Sequence, residues 1–302
     1  MIRIGVDFGG SKIEAAAVEE SGQVAVRVRQ DNPRSYDEAL AVVAALIEEV
    51  EAHCGRCDRI GVAAPGSISP RTGDIRNANS TWLNGRPFHE DLERKLGRNV
   101  RLANDANCLA LSEAVDGAGA GARVVFAAIL GTGCGGGVAI DRKLLDGRNG
   151  VAGEWGHTAL PWPLEAETPG PDCWCGLNGC LETYVSGAGF ERDFRAASGH
   201  RLSAPEIVTA ARKGEVQACA ALDRYVDRLG RGLAMIVNVL DPDLIVLGGG
   251  MCNVEELYAR LPQAIEPYIF SDVFETPVVK AIHGDSSGVR GAAWLWPLEG
   301  AE

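Results

Sequence analysis

The feature that most constrains the fold is a pattern that occurs twice, at residues 2–18 and again at residues 124–140. Each copy is a strand-like run, a glycine-rich turn that contains a hydroxyl residue, and a second strand-like run. Glycine allows a tight turn whose amide N–H groups can approach an anion closely. Either turn alone would be compatible with an ordinary hairpin. Together they predict a duplicated fold that holds a polyphosphate from both sides.

A polar pair at the end of a predicted strand marks a candidate catalytic position. Residues 100–102 have the pattern of a short strand, and Asn104 and Asp105 follow it and open a stretch with helical spacing. In α/β folds, chemistry is often placed where a strand ends and a helix begins. Asn and Asp are also common helix N-caps, so either residue could serve only as the cap. We expect one of them to cap the helix and the other to take part in chemistry.

Residues 154–182 contain a candidate metal site. One histidine and three cysteines form the kind of ligand set that tetrahedral zinc takes in closed structural sites. These ligands are His157, Cys173, Cys175 and Cys180. Chance clustering or a disulfide is the alternative, but three of the chain's nine cysteines fall within eight residues. We therefore predict a structural zinc that holds Glu154 and Glu182 close together across an irregular loop.

Composition and charge argue against several classes of protein. The chain has 302 residues and a net charge of −12, whereas nucleic acids and anionic membranes require a basic surface. It opens on a strand-like run instead of a signal peptide, and no apolar run approaches the ~20 residues that cross a bilayer. We therefore expect a cytoplasmic protein with reduced or metal-bound cysteines. The Cys54–Cys57 spacing is interpreted as the end of a helix, with a redox pair as the alternative.

Several stretches of the chain, taken together and in order, resemble the ROK family of sugar kinases. They are residues 7–12, 104–108, 131–135, 154–157, 173–182 and 247–250. The resemblance implies an α/β protein with the two-lobed, duplicated actin-like ATPase (RNase H-like) fold. It implies a smaller N-terminal lobe at residues 1–119, joined by a C-terminal helix at 287–302. Residues 120–286 would form the larger lobe, which carries the zinc-binding loop.

The resemblance also implies transfer of the ATP γ-phosphoryl group to the 6-hydroxyl of a hexose, with Mg²⁺ as cofactor. Asp105 matches the family's catalytic base. The positions that match its sugar contacts are Asn79, Asn104, Asp105, Glu154, His157 and Glu182. Its zinc ligands are matched by His157, Cys173, Cys175 and Cys180. The nucleotide-binding positions are matched by Asp7, Gly9, Gly10, Ser11, Lys12, Gly131, Thr132, Gly133, Cys134, Gly135, Gly136, Gly248, Gly249 and Gly250. Ser11 replaces the family's usual threonine but keeps the hydroxyl.

The predicted sugar depends on residues 77–85 and 283–296, where the chain is most similar to bacterial fructokinases. D-Fructose is therefore the expected substrate and fructose 6-phosphate the expected product. Kinases of N-acetylglucosamine or other hexoses are the alternative, since the former differ mainly in the loop around Trp82. The family's transcription regulators carry a helix-turn-helix before the first strand, which here starts at residue 2, so we expect a kinase. The family also suggests a homodimer.

Overall fold

The computed structural model describes residues 2–297, apart from the side chain of Asp285. The strands are β1 Ile2–Phe8, β2 Lys12–Glu19, β3 Val24–Asp31, β4 Ile60–Ala64, β5 Ser67–Ile68, β6 Ile75–Arg76, β7 Val100–Asn104, β8 Val124–Leu130, β9 Cys134–Ile140, β10 Lys143–Leu144, β11 Leu244–Gly248 and β12 Val278–Lys280. The α-helices are α1 Tyr36–Cys54, α2 Phe88–Leu96, α3 Asp105–Asp116, α4 Glu182–Val185, α5 Gly187–Ser198, α6 Ala204–Arg212, α7 Val216–Leu240, α8 Glu256–Ile265 and α9 Ser287–Trp294. Short 3₁₀ turns occupy Thr81–Leu83, Trp155–His157, Glu165–Glu167, Gly250–Asn253, Glu266–Tyr268 and Gly284–Ser286.

The chain forms two compact units, and each contains one of the two repeated glycine turns. The first unit contains the chain up to Gly121, the segment Gly137–Ala152 and the chain from His283 onward. The second contains Ala122–Gly136 and Gly153–Ile282. The helix predicted for residues 287–302 is α9, which ends at Trp294; residues 298–302 lie outside the described part of the chain.

The first unit is built on a mixed five-stranded sheet with the order β3-β2-β1-β4-β7. The hairpin strands β1 and β2 are antiparallel, whereas β1, β4 and β7 run parallel. Two glycines inside these strands have a packing reason. A Cβ on Gly5 or on Gly61 would lie 1.8 Å from a carbonyl oxygen of α9, so the helix backbone rests directly on the sheet. This close packing brings the first turn of α9 next to the end of β1.

The second unit is organised around the buried strand β11, which pairs in parallel with β8 and β12. The sheet that contains these strands has the order β10-β9-β8-β11-β12. The long helix α7 packs with α5, α6 and α8 and buries one apolar face. Strands and helices are mixed in both units, as the sequence predicted. Within residues 2–297, no helix is both long enough and apolar enough to span a membrane.

Candidate functional site

The junction of β7 and α3 separates the roles of Asn104 and Asp105. The Asn104 side chain accepts a hydrogen bond from the Asn107 amide at 2.7 Å, which makes Asn104 the N-cap of α3. Asp105 is then the first residue of the helix, and its Oδ1 accepts from the neighbouring Ala106 amide at 2.8 Å. The expectation that one residue of the pair caps the helix is therefore confirmed. The other residue carries a carboxylate beyond the end of a strand.

The Asp105 carboxylate is accessible and has an altered acidity. Its side chain is exposed to solvent, and burial of the group among surrounding atoms nevertheless raises its pKa above the ordinary value. A carboxylate that water reaches from one side and protein surrounds elsewhere stays accessible but loses part of its hydration. A raised pKa suits a general base, since the carboxylate then binds a proton more readily.

Asp7, at the end of β1, acts electrostatically on the same region of the first unit as Asp105. Burial raises the pKa of the Cys108 thiol well above its ordinary value, and the charges of Asp7 and Asp105 raise it further. A Cβ on Gly288 in α9 would lie 2.4 Å from Oδ2 of Asp7. The fold therefore gathers two carboxylates from distant sequence positions around the beginning of α3.

The first glycine turn, residues 9–12, connects β1 to β2 and is open to solvent. Asn32 supports the turn with two hydrogen bonds. Its side-chain amide donates to the Gly9 carbonyl at 2.8 Å, and its backbone N–H donates to the Ser11 carbonyl at 2.8 Å. The nearest atom to a Cβ built on Gly10 is the Ser80 hydroxyl, 3.8 Å away. The turn thus offers exposed backbone, as an anion-binding turn requires.

The second glycine turn, residues 131–136, connects β8 to β9 and is packed against Glu182. The amide of Cys134 donates to Oε2 of Glu182 at 2.9 Å. A Cβ on Gly133 would lie only 2.8 Å from the same oxygen. The Gly131 carbonyl accepts from the amide of Gly187, at the start of α5, at 2.7 Å. The second turn is therefore held by contacts with Glu182 and Gly187, and we call it the clamped turn. The first turn is open to solvent, and we call it the open turn.

Glu154 belongs to a segment that packs against β8 and β9, the strands joined by the second glycine turn. The indole of Trp155 donates to the Gly135 carbonyl at 2.9 Å, and its ring packs edge-on against Phe126 at 5.4 Å. Burial raises the pKa of the Cys134 thiol, and the charges of Glu182 and Glu154 raise it further. Both of the glutamates that bracket the metal-binding sequence therefore act on one residue of the second glycine turn.

The third glycine run, residues 248–250, follows β11 in the second unit. Because β11 and β8 are parallel neighbours, Gly248 lies in register with Ile129, just before the second glycine turn. A Cβ on Gly249 would lie 2.6 Å from the Leu130 carbonyl oxygen. Two of the three predicted nucleotide-binding segments thus lie side by side within one unit.

The predicted zinc ligands converge. The ligand atoms of His157, Cys173, Cys175 and Cys180 all lie within 4.8 Å of one another. The Sγ atoms of Cys175 and Cys180 are 3.6 Å apart, and Sγ of Cys173 is 3.6 Å from Nδ1 of His157. Tetrahedral zinc with Zn–S bonds of about 2.3 Å would separate two sulfurs by about 3.8 Å. The donor set and its spacing fit zinc, and the sulfur separation is too long for a disulfide.

The insert between His157 and the cysteines is anchored by a buried ion-pair network. Glu167, within the insert, receives hydrogen bonds from Arg228 at 2.7 Å and from Arg231 at 2.9 Å, both on α7. Arg231 also donates to the Trp162 carbonyl at 2.8 Å. Burial of Glu167 opposes ionisation, but the hydrogen bonds from the two arginines prevail and lower its pKa to about 2.

The loop that contains Asn79 and Trp82 belongs to the first unit. The Asn84 side chain closes it by accepting from the Ala78 amide at 2.9 Å and donating to the Ala78 carbonyl at 3.0 Å. Asn79 is exposed. The Trp82 ring packs on the core, with its centroid 5.8 Å from that of Phe8. Trp82, on which the expectation of fructose rested, is thus partly a packing residue.

Within the first unit, Asp7 and Asn104 lie near Asp105. Within the second, Glu154, His157 and Glu182 share one region with the second glycine turn and the metal cluster. Sequence reasoning assigned no role to Trp174, whose indole donates to Oε1 of Glu182 at 2.6 Å. A tryptophan between two predicted metal ligands in a polar loop was the available signal.

Two solved structures with high overall similarity to this chain are ROK kinases. A ROK hexokinase from Thermus thermophilus has a TM-score of 0.87 and 32% sequence identity, and the match covers 98% of this chain and 97% of that one. A ROK glucokinase from Streptomyces griseus, in complex with glucose and AMPPNP, has a TM-score of 0.78 and 28% identity, with 98% and 99% covered. The prediction of the actin-like ATPase fold is confirmed.

Sequence comparison agrees over almost the full length. N-acetyl-D-glucosamine kinase from Photobacterium profundum is 40% identical over 296 residues, which is 96% of this chain and 98% of the relative. The enzyme of the same name from Pectobacterium atrosepticum is 39% identical, with 96% and 97% covered. The ROK family model matches residues 3–299. This chain therefore belongs to the ROK family and is one of its sugar kinases.

Proposed function

We propose that this protein transfers the γ-phosphoryl group of ATP to the 6-hydroxyl of N-acetyl-D-glucosamine. The sugar is inferred from relatives near 40% identity that are N-acetyl-D-glucosamine kinases over nearly their whole length. The observation that carries the chemistry is the division of labour between Asn104 and Asp105. Asn104 caps α3, whereas the Asp105 carboxylate is accessible and has a pKa raised by burial, which suits a group that accepts a proton from a hydroxyl.

In the proposed reaction, the 6-hydroxyl oxygen attacks the γ-phosphorus while its proton passes to Asp105. The bond between the γ-phosphorus and the β,γ-bridging oxygen breaks, and ADP leaves with that electron pair. Phosphoryl transfer depends mostly on positioning and on charge stabilisation, so a single carboxylate base is sufficient protein chemistry. Side chains with fixed acceptors and donors distinguish hydroxyl patterns. We assign that role to Asn79, Asn104, Glu154, His157 and Glu182.

We assign the nucleotide to the three glycine segments, residues 9–12, 131–136 and 248–250, with Asp7 beside the first. Mg²⁺ would offset the charge of the phosphates when bound with ATP. His157, Cys173, Cys175 and Cys180 would hold zinc. With four protein ligands the ion has a structural role, which is to fix the loop that carries Glu182. Since Nδ1 of His157 faces the cysteines, Nε2 is left for the sugar.

The relatives support the alternative substrate, N-acetyl-D-glucosamine, in place of the expected fructose. It depended on the loop around Trp82, and that ring packs on Phe8 in the core of the first unit. A similarity that serves packing carries little information about the sugar. N-acetyl-D-glucosamine is accordingly the proposed substrate, and fructose becomes a comparison substrate.

The test is a coupled assay of ADP release with N-acetyl-D-glucosamine, glucose, mannose and fructose under identical conditions. We expect kcat/KM for N-acetyl-D-glucosamine to exceed each of the others by at least about 10-fold, the discrimination that one well-placed group provides. A highest kcat/KM with fructose would contradict the proposed sugar but keep the kinase chemistry. No ADP release with any of the four sugars would contradict the proposed function itself.

A further inference from the structure

Trp174 lies in sequence between two of the four converging metal ligands, Cys173 and Cys175, and its side chain contacts both a third ligand, His157, and Glu182. Its indole N–H donates to Oε1 of Glu182 at 2.6 Å. Its ring stands edge-on to the imidazole of His157, with centroids 4.8 Å apart and planes at 88°. The tryptophan thus touches both of the side chains in the cysteine loop region that we assign to the sugar.

The carboxylate of Glu182 has one oriented donor on each oxygen. Trp174 supplies the donor for Oε1, and the Cys134 amide supplies the donor for Oε2 at 2.9 Å. Two donors on opposite oxygens fix the rotation of a carboxylate, which one donor alone would leave free. Hydrogen bonds to an ionised carboxylate are stronger than those between neutral groups.

The exposure of Trp174 indicates that its role is not burial of apolar area. The residue is 64% exposed, although its neighbours Cys173 and Cys180 are buried. Since the cysteines on either side of it in sequence, Cys173 and Cys175, both belong to the metal cluster, a bound metal would fix the backbone around the indole. The position of the N–H is therefore tied to the cluster, while the ring remains at the surface.

We propose that Trp174 is a positioning residue that orients the Glu182 carboxylate for the sugar and makes that orientation depend on the metal cluster. This rests on the proposed function, because Glu182 is assigned to the sugar there. Glu182 contacts the sugar directly. Trp174 does not contact the sugar and acts by fixing the orientation of the Glu182 carboxylate. Loss of the indole N–H should therefore weaken sugar binding without removing the metal or the chemistry.

The test compares Trp174→Phe with Trp162→Phe in the full-length, metal-loaded protein. Trp162 is a matched control, because it is also an exposed tryptophan, on the insert that precedes Cys173, but its ring stacks on Tyr268 at 4.9 Å. We expect Trp174→Phe to raise the KM for N-acetyl-D-glucosamine by about 10-fold, the usual effect of one hydrogen bond to a charged group. Turnover at saturation and one zinc per chain should be retained, and Trp162→Phe should behave like the wild type.

A double-mutant cycle separates positioning from direct contact. If Trp174 acts through Glu182, adding Trp174→Phe to Glu182→Gln should change KM by less than about 2-fold. An undiminished 10-fold effect in that background would overturn the proposal, as it would mean that the tryptophan acts by a route other than Glu182, either through His157 or by direct contact with the sugar. Loss of zinc from Trp174→Phe, or an unchanged KM in an active enzyme, would overturn it as well.

A second measurement does not depend on activity. In protein labelled with ¹⁵N at tryptophan, the indole resonance that disappears in Trp174→Phe belongs to Trp174. Glu182→Gln should shift that resonance and speed its exchange with solvent, while the other indole signals stay in place. A resonance that does not move would overturn the proposed interaction even if no hexose were a substrate, so failure of the two proposals can be told apart.

Discussion

The two glycine turns share a sequence pattern but have opposite surroundings. The first is exposed, and a Cβ on Gly10 would lie 3.8 Å from the nearest atom. The second is packed so closely on Glu182 that a Cβ on Gly133 would lie 2.8 Å from its carboxylate. One local pattern therefore produces an open turn in one unit and a clamped turn in the other.

The neighbouring carboxylates differ in the same way. Asp105, in the unit of the open turn, accepts from the amide of the next residue and remains accessible to solvent. Glu182, beside the clamped turn, is fixed by donors on both oxygens. Accessibility suits a group that must exchange a proton, and fixation suits a group that must orient a ligand. The comparison thus predicts which substitutions affect chemistry and which affect binding or stability.

The largest expected effect is that of Asp105→Asn on turnover. An amide cannot accept the hydroxyl proton, so kcat should fall by about 10²–10⁴-fold while sugar and nucleotide binding persist. The wild type should also lose activity as the pH falls through the Asp105 pKa. Because that pKa is raised, the acid limb of kcat/KM should lie above the ordinary aspartate value of about 3.9.

Pre-steady-state kinetics and isothermal titration distinguish chemistry from binding in this variant. Turnover near that of the wild type would end the assignment of the base. A collapse of sugar binding together with turnover would mean that Asp105 has the fixed, ligand-orienting role that we assign to Glu182, and the contrast between the two units would disappear.

The next largest effect concerns the ion-pair network that anchors the insert between His157 and the cysteines. Glu167→Gln removes the charge that Arg228 and the buried Arg231 share, which should cost about 3–5 kcal/mol in the free energy of unfolding. Since folding lowers the Glu167 pKa from 4.5 to about 2, this stabilisation is complete above pH 4.5 and is lost as the pH falls towards 2.

Chemical denaturation at neutral pH and at pH 3 measures both parts of this prediction. Glu165→Gln is the matched control, because Glu165 is an exposed residue on the same 3₁₀ turn. Equal effects of the two variants would contradict a specific role of the network. Hydrogen exchange should increase in the insert of Glu167→Gln and remain unchanged around the first glycine turn.

The smallest effects, and the most direct test of the comparison, come from one alanine in each turn. Gly133→Ala should cost about 1–3 kcal/mol in unfolding free energy and raise the sugar KM, because the new methyl group displaces Glu182. Gly10→Ala should change unfolding free energy by no more than about 0.5 kcal/mol, since its methyl group makes only an ordinary contact with Ser80 at 3.8 Å. Neither glycine has a positive φ, so the difference reflects packing.

Thermal melts and sugar and ATP titrations of the two alanine variants give the comparison directly. Equal destabilisation of both variants would contradict the proposed difference in packing between the clamped turn and the open turn. If Gly10→Ala raised the KM for ATP without loss of stability, the first turn would be identified as a phosphate-binding turn.

Local chemistry along the chain was sufficient to predict the repeated hairpins, the convergence of one histidine and three cysteines, and the strand-end position of Asp105. Each of these depends on short sequence spacing: glycines between apolar runs, cysteines within a few residues, and a polar pair before a helix. The sugar was not predictable in this way, because it depended on Trp82, and a tryptophan in a loop has the same local signature whether it packs on a core or faces a ligand.

The sequence by itself determined the α/β class, the two glycine turns and the histidine–cysteine set, because those follow from backbone freedom, apolar periodicity and ligand type. Which residue of the pair caps α3 is settled locally, because the Asn104 side chain accepts from an amide only three residues further along the chain. Tertiary structure alone decided that Asp7 and Asp105 both act on Cys108, since β1 and α3 are far apart in sequence. It also decided that Trp174 and Cys134 hold Glu182, because the glycine turn and the cysteine loop are far apart in sequence and meet only through folding of the second unit. Patterns of closely spaced residues are visible in the sequence, whereas contacts between distant segments arise only when those segments pack.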